Sequence, residues 1–231
     1  MNLSKKVLVL EDETSIRGFV VMNLKRGGYE PIEAGTGEEA FEQLRLNPDI
    51  KLALLDIMLP DIDGFEVCRK IRAADPHIGI IILSARTQEM DRVLGLMTGA
   101  DEYVTKPFEL SVFMARIDAL YRRVVGSSQQ DPGELIQGPF RLNTRNHTLE
   151  KNGVRIKLTQ VEFSIVKMFM DNPGKALTRN DILGTVWGRG YFGDEKIADV
   201  NISRLRQKIE DDPANPAFIT TIRGYGYKWG L

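Results

Sequence analysis

At 231 residues the chain is long enough for two small domains, and 42% hydrophobic with 27% charged residues is the make-up of a folded protein, not of a disordered or fibrous one. One cysteine, Cys68, excludes an intramolecular disulfide, and no apolar run approaches the roughly 18 residues that span a bilayer. The net charge of −1 hides a division: residues 1–122 carry 15 Lys and Arg against 20 Asp and Glu, while residues 123–231 carry 16 against 12. The basic second half permits contact with a polyanion without establishing it.

In chain order, the first apolar run, 7–10, stops at acids and is too short for a secretory signal. A cytoplasmic protein with no membrane partner is expected. Ile16, Phe19, Val20 and Leu24 recur at helical spacing, and Gly27-Gly28 stops that helix. Then follow a run at 29–34, a helix at 38–46, a run at 52–55, a helix around 65–71 and a run at 78–83. A helix at 87–98, the short run Tyr103-Val104 and a last helix at about 109–123 complete the series. Short unbroken apolar runs separated by helices specify a parallel sheet covered on both faces. Five such units in this length suit a flavodoxin-like, doubly wound five-stranded α/β domain.

The stretch 126–134, polar with two Gly and one Pro, is the linker. The expected division is a first domain at 1–123, a linker at 124–136 and a second domain at 137–231. In the second domain, 138–158 alternates and turns at 143–146 and at 151–153, as a small antiparallel sheet does. Thr159 with Glu162 reads as a capping box opening a helix to about Met170. Thr178 caps a second helix, a loop at 188–194 precedes a third at about 195–210, and 218–229 reads as a hairpin. Sheet, three helices and hairpin is the order of a winged helix-turn-helix domain with an N-terminal antiparallel sheet.

Candidate chemistry gathers at the strand ends. Glu11-Asp12 closes the first run, Asp56 the third, Ser84 the fourth and Lys106 the fifth, and a doubly wound sheet brings those ends to one rim. Clustered carboxylates with open positions suit Mg²⁺, a hard cation that keeps several waters. A carboxylate can also attack a phosphoryl group, with metal and ammonium offsetting charge on its oxygens. On this reading Asp56 is the nucleophile. Asp12, Glu11 through water and the Met58 carbonyl serve the metal, while Lys106 and the Ser84 hydroxyl serve the phosphate. Each residue taken singly reads as a loop acid, a cap or a turn; the pattern at four strand ends carries the inference.

These segments resemble the receiver domain of response regulators over 1–122. The matching pieces are Glu11-Asp12, the loop 56–65 (Asp-Ile-Met-Leu-Pro-Asp-Ile-Asp-Gly-Phe), Ser84-Ala85-Arg86 and 99–108 (Gly-Ala-Asp-Glu-Tyr-Val-Thr-Lys-Pro-Phe). The resemblance implies a switch hydroxyl at Ser84, a switch aromatic at Tyr103 and a cis Lys106–Pro107 peptide.

In the third helix of the second domain, Ala198, Ile202, Leu205 and Ile209 make an inner stripe. Lys196, Val200, Ser203 and Gln207 lie opposite, with Arg204 on the flank. Such a helix can enter a major groove. Arg204 is the first choice for a base or phosphate contact, with Asn201, Lys208 and Arg206 weaker choices and Arg206 also suited to an internal salt bridge. In the hairpin, Thr221, Arg223 and Tyr225 can reach backbone or minor groove. Three cations on an amphipathic helix more often make a solvated face, and there the residues leave the matter open.

Residues 137–231 resemble the DNA-binding domain of the OmpR/PhoB family at 158–163, 199–209 and 221–227. The resemblance implies tandem binding to direct repeats in promoter DNA, a sensor histidine kinase as phosphate source and RNA polymerase contact by the 188–194 loop. It also implies a homodimer formed on phosphorylation, with charge pairs at Arg92, Asp101, Glu102, Arg116 and Arg123. Val112 stands where the pattern has an acid, so a dimer that survives but is weaker or differently registered is expected. Such a protein is not an enzyme beyond promoting its own phosphorylation and dephosphorylation. Two other classes stay open: a Mg²⁺ phosphohydrolase using Asp56, for which no substrate pocket or second acid/base is apparent, and a regulator independent of phosphorylation, against which the complete pocket argues. His77 and His147 lie apart near turns and suggest neither zinc nor a base, and Cys68 reads as half-buried packing.

Overall fold

The computed structural model describes residues 5–125, 133–188, 191 and 194–230. The chain divides into two compact units, Met1–Val125 and Gly126–Leu231. Within the first, β1 (Lys6–Leu10), β2 (Glu30–Ala34), β3 (Leu52–Asp56), β4 (Gly79–Ser84) and β5 (Glu102–Thr105) form one parallel sheet in the order β2-β1-β3-β4-β5. The helices α1 (Thr14–Arg26), α2 (Gly37–Leu46), α3 (Gly64–Ala74), α4 (Glu89–Met97) and α5 (Leu110–Val125) alternate with the strands. Strands β3 and β4 are buried at every residue, and β1 at every residue but its first. Their side chains are covered on both faces, which is why they read as continuous apolar runs and not as alternations. The strand order reverses between β1 and β3, so their carboxyl ends flank the crevice where such sheets carry their sites.

The second unit begins with four antiparallel strands, β6 (Glu134–Gln137), β7 (Phe140–Asn143), β8 (Thr148–Lys151) and β9 (Val154–Ile156). Leu135, Leu142, Leu149 and Ile156 stand in register as an apolar ladder, and Ile136, Arg141, Glu150 and Arg155 make the alternate row. Asn152 and Gly153 both have positive φ (52° and 78°), as a tight two-residue hairpin turn requires. The helices α6 (Gln160–Asp171), α7 (Arg179–Val186) and α8 (Lys196–Ile209) follow, and a sheet of β10 (Ala176–Thr178), β12 (Gly226–Trp229) and β11 (Ile219–Ile222) closes the unit. Capping boxes at Thr159 with Glu162 and at Thr178 with Asp181 open α6 and α7.

Three features depart from the reading of the sequence. The linker expected at 124–136 loses its first two residues to α5 and its last three to β6, and 126–132 lies outside the described residues. Strand β10, paired to β12, has no counterpart in that reading. Cys68 is fully buried, not half-buried. Among the described residues no helix is long and apolar enough to cross a membrane.

Candidate functional site: a carboxylate cluster at the strand ends

The sheet order sets β3 beside β1 and β4, so Asp56 stands between Glu11-Asp12 and Ser84. Glu11, Asp12 and Asp56 each offer a carboxylate oxygen to one cluster, all within 4.8 Å of one another. Lys106 Nζ arrives from the end of β5, donating to Glu11 Oε2 at 2.6 Å and to Asp56 Oδ2 at 2.8 Å. The other Asp56 oxygen accepts the Ile57 N–H at 2.6 Å and the Met58 N–H at 3.3 Å. Glu11 and Asp56 are buried, whereas Asp12 is exposed and gives the cluster an open side.

The electrostatics follow from counting charges. Three carboxylates face one ammonium. Burial, opposed by the Lys106 hydrogen bond and reinforced by Asp56, raises the Glu11 carboxyl to about 7. Burial works to lower the Lys106 ammonium, but the hydrogen bonds it donates to both carboxylates hold it above its ordinary value. The cluster is thus short of positive charge, and its donors are all hard oxygens. A divalent cation such as Mg²⁺ fits both the deficit and the donor set.

The neighbouring segments are built to hold this rim. Asp61 accepts the N–H groups of Gly37 and Glu38, both at 3.1 Å, tying the loop after β3 to the start of α2. Asp63 accepts the Phe65 N–H at 2.7 Å and caps α3. A Cβ on Gly64 would lie 2.1 Å from the Asp56 carbonyl oxygen, so only glycine lets α3 begin against the end of β3. The sequence reading gave no role to Asp61 or Gly64 beyond the motif; their acid–glycine spacing before a helical pattern was the available signal.

Ser84 is fully buried and its Oγ accepts the Arg86 N–H at 3.0 Å. The Tyr103 hydroxyl donates to the Arg86 carbonyl at 3.1 Å, and burial raises its pKa against a side-chain hydrogen bond with Ser84. The ring packs on α4, where a Cβ on Gly95 would meet it at 2.7 Å. Ser84, Arg86 and Tyr103 therefore form one linked segment reaching from the rim to α4. The Lys106–Pro107 peptide is cis.

The residues assigned to a dimer face are distributed differently. Asp101 is buried and accepts from Arg72 Nη2 at 2.8 Å and from the Ile80 N–H at 2.9 Å, so it stitches α3 to β4 within its own unit. Glu102 pairs with Arg116 inside the same unit at 3.0 Å. Arg92 lies on α4 and Arg123 in the last turn of α5. On this side Met90, Leu94 and Met97 of α4 and Val112 of α5 are exposed.

In the second unit the residues expected to contact DNA differ in burial. Arg204 is buried, with Nη2 3.2 Å from Glu162 Oε1, because the fully buried Glu162 on α6 draws it inward. Asn201 is buried and donates to the Ile197 carbonyl at 2.8 Å, and Val200 is buried too. Lys208 is exposed overall, but its Nζ donates to Glu162 Oε2 at 2.6 Å. Lys196, Ser203, Thr221, Arg223 and Tyr225 are exposed. His147 Nδ1 lies 2.8 Å from Gln160 Oε1, an acceptor, and the ring stacks on Phe163. Most of the 188–194 loop lies outside the described residues.

Comparison with known proteins bears on both units. Residues 7–118 match the model of the response regulator receiver domain, and residues 153–229 match that of the C-terminal domain of transcriptional regulatory proteins. The sensory transduction protein RegX3 of Mycolicibacterium smegmatis is 41% identical over 225 residues, covering 96% of this chain and 97% of that protein. RegX3 of Mycobacterium tuberculosis is likewise 41% identical over 224 residues, with 96% and 97% covered. Among solved structures, a RitR mutant aligns with a TM-score of 0.77 at 27% identity over 98% of this chain and 99% of its own. The Thermotoga maritima OmpR/PhoB homologue DrrB aligns at 0.51 with 31% identity over 99% and 100%.

Proposed function

This chain belongs to the OmpR/PhoB family of two-component response regulators that act as transcription factors, and from that premise we propose that phosphorylation of Asp56 sets its binding to promoter DNA. The observation that carries the reading is the bridge of Lys106 between Glu11 and Asp56 beside Asp12. A sensor histidine kinase supplies the phosphoryl group. An Asp56 carboxylate oxygen forms the new bond to phosphorus as the bond to the donor nitrogen breaks. Lys106 exchanges a carboxylate partner for a phosphoryl oxygen and keeps its charge there. The Ser84 hydroxyl turns its proton to another phosphoryl oxygen, and the linked Arg86–Tyr103 segment follows it toward α4. Glu11, Asp12, Asp56 and the Met58 carbonyl would hold Mg²⁺, whose part is to offset charge on the transferred group.

The exposed apolar side of α4 and α5 then joins two copies, with Arg92, Arg116 and Arg123 as its charged rim and the buried Asp101 and Glu102 as internal supports. The dimer places two DNA-binding units on direct repeats, and the 188–194 loop meets RNA polymerase. The protein works in the cytoplasm. It acts on its own aspartate only and is not an enzyme toward other substrates.

Intact mass and sedimentation after treatment with Mg²⁺ and a small phospho-donor test this. The wild type is expected to take one phosphate per chain and dimerise, and Asp56→Ala to do neither. Turnover of an external phosphate ester by the wild type, or an unmodified monomer, would overturn the reading.

A further inference from the structure

Helix α8 offers fewer charges to a ligand than its sequence suggests. Arg204 and Lys208 converge on Glu162, and Lys208 also donates to the Lys157 carbonyl at 3.1 Å. Arg206 donates to the Ile219 carbonyl at 2.9 Å and 2.6 Å and to the Thr221 hydroxyl at 2.8 Å. Burial works to raise the Glu162 carboxyl, but the two cations and the Thr159 N–H hold it below its ordinary value, so it stays an anion that needs them. Drawing Arg204 out would leave a buried carboxylate short of a partner.

What α8 presents outward is a different row. Lys196, Ser203 and Gln207 fall within about 40° of one another at 100° per residue, and all three are exposed. Among the described residues, no hydrogen bond takes up the side chain of Ser203 or of Gln207.

We propose that Gln207, with Ser203 one turn before it, reads base sequence in the major groove, while the cations of α8 hold the helix in its pose. The inference rests on the DNA-binding reading and adds the reading residues to it. The Gln207 amide sets one donor beside one acceptor, the pattern that adenine complements through N7 and its amino group. The Ser203 hydroxyl can donate or accept. The ligand is therefore duplex DNA with an adenine facing Gln207. Because both groups are neutral, the discrimination releases no counterions and is insensitive to salt.

The test uses the full chain, with and without beryllofluoride and Mg²⁺, and a pool of randomised DNA duplexes. The wild type is expected to enrich a sequence with one fixed adenine in each half-site. Gln207→Ala should lose that preference and bind the wild-type sequence about 10-fold more weakly, with the slope of log affinity against log salt unchanged. Gln207→Glu should move the preference toward cytosine, and Ser203→Ala should cost less than Gln207→Ala. A Gln207→Ala protein that enriches the same sequence at the same affinity would overturn the proposal. So would a wild type that enriches guanine in place of that adenine, because a cation would then be the reader. A wild type that enriches nothing would overturn sequence-specific DNA binding itself, a result distinct from both.

Discussion

Each unit holds a buried charge cluster, and the two are near mirror images. In the receiver, one lysine, Lys106, serves two carboxylates, Glu11 and Asp56, with Asp12 beside them. In the DNA-binding unit, one carboxylate, Glu162, serves two cations, Arg204 and Lys208. The first cluster is short of positive charge and opens through the exposed Asp12. The second is closed around a fully buried acid, and its cations are spent on holding α8 to α6. Charge left uncompensated at an accessible rim calls for a ligand or a reaction. A buried acid held by cations of the same unit fixes a pose, and removing one partner costs more than the pair contributes.

The largest expected effect would break this comparison if it failed. Arg204→Ala should destabilise the DNA-binding unit by about 3–5 kcal/mol, the cost of opening a buried pair. Both tryptophans, Trp187 and Trp229, lie in that unit, so urea unfolding followed by tryptophan fluorescence reports on it. A loss under about 1 kcal/mol would make Arg204 an ordinary surface cation.

Next comes the pH response of the receiver. With the folded-state Glu11 carboxyl at about 7 against an ordinary 4.5, the folded chain keeps a proton that the unfolded chain has released between those values. Without metal, stability is therefore greatest below about pH 4.5 as far as this group is concerned, and falls as pH rises through 7. The expected loss is on the order of 2 kcal/mol, discounted for the partial solvation of the site. Urea midpoints by circular dichroism should show that slope in EDTA and a flatter one in Mg²⁺, and Glu11→Gln should abolish it. A slope unchanged in Glu11→Gln would place the proton elsewhere.

Thr159→Ala removes the cap of α6 and should cost about 1 kcal/mol. It sharpens the comparison because alanine keeps the Thr159 N–H that supports the Glu162 carboxylate, so the cap is lost while the charge cluster stays. Thermal unfolding should register it without a change in the sequence that the protein selects. Asp12→Asn should have the smallest effect on stability, under about 0.5 kcal/mol. It should nonetheless weaken Mg²⁺ binding about 10-fold by calorimetry, since an exposed donor in a charge-deficient site contributes to the ion and not to the fold. Unaltered Mg²⁺ affinity would remove Asp12 from the metal site.

Much of the fold is local information and was legible. The apolar runs at 7–10, 52–55 and 78–83 announce buried parallel strands by having no alternation, and Thr159 and Thr178 announce helix starts through spacing to Glu162 and Asp181. The gathering of Glu11, Asp12, Asp56 and Lys106 was legible too, since they sit at strand ends and the doubly wound order brings those ends together. Strand β10 was not, because three residues carry no period. Its existence depends on β12, where a Cβ on Gly226 would come 2.1 Å from the Leu177 carbonyl.

Helix α8 divides the two kinds of information most sharply. Its apolar stripe of Ala198, Ile202, Leu205 and Ile209 is read directly at 3.6 residues per turn, and all four are buried. On a helical wheel, though, Arg204 is a flank residue like any other. It became a core residue because Glu162, 42 positions earlier in the chain, is fully buried beside it. By itself, then, the sequence determined the elements other than β10, their order and the acids at the strand ends, since these depend on neighbours within a few residues. The tertiary structure alone decided which charges are spent inside and which remain for a ligand, because an ion pair between distant segments is set by burial and approach, and neither is written in local spacing.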